Sequence, residues 1–184
     1  MRVFLAIPLG ERVNSALDAW YETACAGLGL RKVPAQNRHV TLHFFGDVSD
    51  EELAIIKKKV EEQRRMNLPP DDGLAVTGIG VFSGSKAPVI LWAGVEDRTG
   101  WLAGYVASLD QGLARSGFAR PQMAWQPHIT LARTRSPSRI ELAELCSANK
   151  TVQFGTIYPV RVVLYQSTLF PEGPRYDVLE IFKG

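Results

Sequence analysis

Two four-residue words, His39-Val40-Thr41-Leu42 and His128-Ile129-Thr130-Leu131, follow one rule: His, β-branched aliphatic, Thr, Leu. They stand 89 positions apart, and each opens a strand-like run. A strand alternates its side chains between two faces. His and Thr therefore share one surface, while the aliphatic residue between them and the Leu enter the opposite layer. Each copy anchors itself in a core and offers an imidazole and a hydroxyl on its other side. A chain that does this twice reads as two related halves bringing their polar surfaces to one cleft.

The remaining pattern supplies elements for both halves. Arg2–Leu9 is a nearly continuous apolar run and reads as a buried strand. Val13, Leu17, Trp20, Tyr21, Ala24 and Leu28 recur at helical spacing over Glu11–Leu28. The first motif strand covers Arg38–Phe45, and Ser49 through Glu52 is a capping box opening a second helix. Leu74–Phe82 and Val89–Val95 read as a strand pair joined by a hairpin turn, and Asp97–Ser116 as a third helix. The second motif strand covers Pro127–Arg133. A second capping box, Ser138 through Glu141, opens a short helix to about Ala148. Val160–Phe170 and Tyr176–Phe182 are the last two strands, joined across Pro171–Pro174. The predicted class is α+β over a single domain, 1–184, with the strand pairing order left open.

Composition narrows the partners. The chain of 184 residues is 46% hydrophobic, 22% charged and carries a net charge of +2, the balance of a folded globular protein. That mild basicity suits a small anion or an RNA end, and is too weak for wrapping a long duplex. Cys25 and Cys146 lack CxxC spacing and read as reduced, partly buried thiols. No apolar stretch reaches the ~18 residues of a membrane span. The N-terminus has no room for a signal-peptide core and cleavage site, so the expected address is cytoplasmic and the expected state a monomer.

Two imidazoles in one cleft repel when both are charged, which favours a singly protonated pair around neutrality. That pair holds a general acid and a general base together, suited to an in-line displacement at phosphorus. The two threonine hydroxyls can donate to non-bridging oxygens. Such chemistry requires neither metal nor cofactor. His43 continues the first motif at i+4, but four residues of strand span ~13 Å, too far to share a metal ion with His39. It reads as lining the far end of the cleft or as exposed. Phe45 and Trp125 flank the motifs and could stack on a base. Arg133, with Arg135 beyond it, could steer an anion. Arg133 is out of phase with His128 and Thr130, so a direct contact would need a bulge or bend. The segment Gly80–Lys86 does not fit the spacing of a phosphate-binding loop, and no GxSxG element supports a serine hydrolase.

With these paired words the chain resembles the two-histidine (2H) phosphoesterase superfamily. More narrowly it is similar to the bacterial and archaeal RNA 2′,3′-cyclic phosphodiesterases, long labelled 2′-5′ RNA ligases. The resemblance runs through Arg2-Val3-Phe4-Leu5-Ala6-Ile7, Val33-Pro34 to Gly46, Pro127 to Arg133, Leu164-Tyr165-Gln166-Ser167, and Gly173 with Tyr176. It implies a bilobal fold: two antiparallel sheets related by a pseudo-two-fold axis around a central cleft, with helices outside and the lobes intertwined. It also implies hydrolysis of a terminal 2′,3′-cyclic phosphate to a 2′-phosphate, on an RNA end (tRNA fragments among them) or on small cyclic nucleotides. His39 would be the proton donor, His128 the proton acceptor, and Thr41 and Thr130 the phosphate ligands. His43, Phe45 and Arg133 are further candidate substrate contacts. Two alternative readings are 2′-5′ ligation to a 5′-hydroxyl and non-catalytic binding of RNA ends. Two departures from the family pattern are visible: His43, where a small or variable residue is expected, and the loop Arg120–Trp125.

Overall fold

A computed structural model describes residues 1–66, 69, 71–83, 89–119, 124–134, 139–171 and 173–183. The elements run β1 (Arg2–Pro8), α1 (Glu11–Ala24), β2 (Arg31–Lys32), β3 (His39–Asp47), α2 (Asp50–Met66), β4 (Leu74–Phe82), β5 (Val89–Glu96), α3 (Trp101–Ala114), β6 (His128–Thr134), α4 (Arg139–Ala148), β7 (Gln153–Ile157), β8 (Arg161–Phe170) and β9 (Gly173–Lys183). The predicted hairpin turn before β5, most of the Arg120–Trp125 loop, Arg135, and Ser138 of the second capping box lie outside the described residues.

Local chemistry sets several boundaries. The first capping box is complete: the Ser49 backbone N–H donates to Glu52 at 2.8 Å, and the Glu52 N–H donates to Ser49 Oγ at 3.2 Å. The third helix starts later than its apolar spacing suggests. Asp97 accepts from the backbone N–H groups of Thr99 and Leu102 at 3.1 and 2.6 Å, holding the chain before it in a turn. Two strands have no counterpart in the sequence reading. Both β2 and β7 are short, and each exists because a neighbouring strand accepts it: β2 pairs with β6, and β7 with β4.

The strands form one nine-stranded antiparallel sheet, not the two sheets expected. Its order is β7-β4-β5-β6-β3-β1-β8-β9, with β2 also on β6. The halves are joined where β3 meets β6, at the pair Val40 and Ile129, and the sheet is curled. Outward from that junction the order is mirrored: β1 and β5, then β8 and β4, then β9 and β7. Chain order is crossed, because β4 lies beside the second motif's strands and β8 beside the first's. One face of the sheet carries Val3, Leu5, Ile7, Val40, Leu42, Ile129 and Leu131, packed into a core with Val13, Leu17, Ile56, Leu109 and Leu113 of the helices. Burying each such side chain contributes about 1.5–3 kcal/mol. The opposite face carries the motif histidines and threonines.

Candidate active site

The junction of β3 and β6 positions the site. With Val40 paired to Ile129 in antiparallel register, one residue further each way sets His39 opposite Thr130 and Thr41 opposite His128. All four polar residues are half-buried, and Val40, Leu42, Ile129 and Leu131 are buried. The first seven residues of the two strands share one sequence of burial, residue for residue.

That shared sequence contains an irregularity. In the β1–β3 ladder, Leu5 pairs with His43 and Ala6 with Thr41, so Leu42 is an extra residue. In the β5–β6 ladder, Leu91 pairs with Ala132 and Trp92 with Thr130, so Leu131 is extra. The last residue of each motif is therefore a β-bulge, and it resets the alternation. His43 and Ala132 turn into the core beside the bulged leucines, while Phe44 and Arg133 turn out to the site face.

This corrects two expectations. His43 does not line the cleft. It is 8% exposed on the helix side, its Nδ1 lies 2.7 Å from Asp110 of α3, and its ring packs 4.4 Å from Phe45. Phe45, a second extra residue in the same ladder, packs against the core and against His43. Phe44, which strict alternation leaves off the site, is 68% exposed on the site side, 5.8 Å from the Phe4 ring. Arg133 acquires the bulge that a contact from it requires, and its charge acts on His39, His128 and Tyr176. Trp125 is fixed by its indole N–H, which donates to the Thr41 carbonyl at 3.0 Å.

Aromatic rings wall both histidines. Phe4 and Tyr176 lie 4.8 and 5.4 Å from the His39 ring, with Tyr165 stacked on Phe4. Phe82 stands edge-on to His128 at 4.9 Å, and Trp92 lies 6.4 Å away. Burial is accordingly the largest cause lowering both imidazoles below their ordinary value of 6.5. His39 is pulled down to about 4, with the His128 and Arg133 charges adding to burial. His128 is lowered by burial and then by Arg133. Burial thus favours the neutral form of both rings, and repulsion from His128 is a secondary effect on His39.

The His128 ring proton is also placed. His128 Nδ1 lies 2.8 Å from the Gln126 carbonyl. A carbonyl only accepts, so Nδ1 carries the proton and the neutral ring's lone pair is on Nε2. His39 is hydrogen-bonded to the Asn37 backbone, again two residues upstream, which favours its protonated form. Arg38, between them in the chain, is 3% exposed and points the other way. Its guanidinium donates to the carbonyls of Val33 and Asn14 and to Asp18 at 3.1, 3.3 and 2.6 Å, tying the start of β3 to α1. Phe4, Phe44, Phe82 and Trp92 look like ordinary packing residues in the sequence, and only the bulges and strand order bring them to the face of the histidines. Among the described residues, no three His, Cys, Asp or Glu side chains are grouped to hold a metal ion.

Two imidazoles, two hydroxyls and a guanidinium around one surface can bind an anion and move protons on either side of it. The LigT like phosphoesterase family matches this chain over residues 9–92 and 94–176, one block per motif. The chain belongs to the LigT-like phosphoesterase family. It is 32% identical to the RNA 2′,3′-cyclic phosphodiesterase of Methanothermobacter thermautotrophicus, across 100% of this chain and 98% of the relative. It is also 32% identical to that of Aquifex aeolicus, across 99% and 96%. A crystal structure of a Thermus thermophilus protein superposes with a TM-score of 0.79 at 28% identity, over 100% of this chain and 97% of the other. Apo Escherichia coli LigT does so with a TM-score of 0.73 at 25% identity, over 99% and 96%. No described helix is long and apolar enough to cross a membrane.

Proposed function

We propose that this protein hydrolyses the 2′,3′-cyclic phosphate at an RNA terminus to a 2′-phosphate, by acid–base catalysis between its two motif histidines. The observation that carries the reading is the duplicated geometry around Val40 and Ile129, which faces one His/Thr pair with another. The names of the full-length relatives support the substrate class. In this reading residues 1–184 form one domain of two intertwined lobes. A pseudo-two-fold axis passes between Val40 and Ile129, an arrangement supported by the mirrored strand order.

The cyclic phosphate monoanion sits between the motifs, with Thr41 and Thr130 donating to its non-bridging oxygens and Arg133 adding positive charge. His128 Nε2 takes a proton from water as the water oxygen bonds to phosphorus. The bond from phosphorus to the 3′ oxygen breaks, and protonated His39 gives that oxygen its proton. The 2′ bond stays, and the two rings exchange protons with solvent to reset. The bound anion supplies the negative charge that raises His39 from the low value burial gives it. The imidazolium so formed is held next to the leaving oxygen it protonates.

His39→Ala and His128→Ala are each expected to lower kcat/KM on an oligonucleotide 2′,3′-cyclic phosphate by at least about a hundredfold, the usual contribution of a positioned acid or base. Circular dichroism is expected to stay unchanged, and chelators to have no effect on the wild type. Full turnover by either folded variant rules out the two-histidine mechanism. Identification of a 3′-phosphate or a 2′-5′ linkage as the main product rules out the proposed bond cleavage.

A further inference from the structure

Opposite Arg133 on the site face stands a second arginine. β2 pairs with β6 so that Arg31 faces Arg133 and Lys32 faces Ala132. Ala132 is buried in the helix-side core, and Lys32 follows it there, ion-paired with Asp18 and Glu22 of α1. Arg31 therefore shares the other face with Arg133, since directly paired residues project to the same side of a sheet. Both arginines are exposed, and among the described residues neither has an ion-pair partner. Like charges directly opposite each other weaken a sheet. Here the pair involves one of the only two residues of β2, a strand with little else to stabilise it.

Two further observations place the Arg31 head. Its guanidinium lies beside Gly173, at the start of β9, where any Cβ would come within 3.2 Å of it. Gly173 thus leaves room for the guanidinium against the β8–β9 hairpin. Asn37, whose backbone holds His39, donates its side-chain amide to the Pro174 carbonyl at 3.0 Å, fixing that hairpin beside the first motif. Along β6, Arg133 is four residues from Ile129, a span of ~13 Å at most. Arg31, directly opposite Arg133 on the neighbouring strand, stands about 5 Å further over on the same continuous surface.

We propose that Arg31 clamps the first internucleotide phosphate upstream of the reacting end, beside the reacting phosphate that Arg133 serves. It makes this protein selective for RNA chains over mononucleotides. The clamp rests on the RNA-end reading above. A phosphodiester at Arg31 offsets its repulsion with Arg133 and adds a charge-assisted contact, and a mononucleoside cyclic phosphate has no such group.

The test compares a mononucleoside 2′,3′-cyclic phosphate with a trinucleotide ending in the same group. A third substrate is the trinucleotide with a neutral methylphosphonate at its last internucleotide linkage. Arg31→Ala is expected to lower kcat/KM on the trinucleotide about tenfold, the scale of one lost charged contact, and to leave the mononucleotide within about twofold. The methylphosphonate is expected to cost the wild type a similar factor and the variant little more. Arg31→Gln is expected to behave alike, with a melting temperature no lower than wild type because a like-charge contact is gone. Equal losses on the mononucleotide and the trinucleotide, or an undiminished methylphosphonate effect in the variant, overturn the clamp. If the wild type turns over neither substrate, the RNA-end reading has failed. Anisotropy with a labelled trinucleotide 2′-phosphate then decides the clamp alone: tenfold weaker binding by Arg31→Ala supports it, and equal binding overturns it.

Discussion

At Leu42 and Leu131 each motif strand gains one residue over its neighbour, and that insertion decides which side chains meet substrate. Strict alternation carries His43 and Phe45 to the site face and keeps Arg133 off it. The bulge reverses all three, sending His43 to Asp110 and bringing Phe44 and Arg133 round to the histidines. No residue type announces it, because a bulge arises where two strands of unequal length are held in one ladder. The reversal is testable at His43. His43→Leu fills the same apolar layer and leaves the partly exposed Asp110 to solvent. Turnover of a 2′,3′-cyclic phosphate is expected to stay within about threefold of wild type, as for a side chain that touches no reacting atom. A loss beyond tenfold in a folded variant returns His43 to the chemistry. His39, His128, Thr41 and Thr130 precede the bulge, which is why period-two reasoning placed them together on one face.

Among the elements, β3 and β6 were legible as strands and β1, β4, β5, β8 and β9 nearly so, because their apolar runs are long and bounded by turn residues. The two short strands were not, and β2 carries the arginine of the clamp. Element packing also shapes the wall beside His128. Trp92 of β5 packs against Gly80 of β4, where a Cβ would clash with the indole ring. Gly80→Ala therefore forces the indole aside, and with it the rings around His128. Overpacking of this kind costs about 1–3 kcal/mol. Urea unfolding is expected to show that loss, together with a fall in kcat. Unchanged stability and unchanged kcat would mean that Trp92 is free to move and does not shape the His128 environment.

For the whole molecule, the three histidines act together. All are lowered by burial, His39 to about 4. A group whose folded pKa lies below its unfolded value binds more protons when unfolded, so its contribution is present above pH 6.5 and lost as the pH falls. For His39 the loss runs from 6.5 down to about 4 and totals on the order of 3 kcal/mol at 1.36 kcal/mol per unit. Urea midpoints are expected to fall between pH 7 and pH 5, less steeply in His39→Gln, and to rise again when a phosphate monoester is added at pH 5. A flat profile over that range would contradict the burial of the imidazoles. The curled single sheet is what buries them, and it differs from the two expected sheets because β3 and β6 touch at Val40 and Ile129. By itself the amino-acid order determined the two His/Thr faces, most of the elements around them and the family, because these depend on local periodicity and on residue type at fixed spacing. Only the tertiary structure decided where the alternation breaks, which rings enclose the histidines, and that Arg31 stands across from Arg133. Those relations join residues distant in the chain, and the ladder that pairs them is set by the whole sheet.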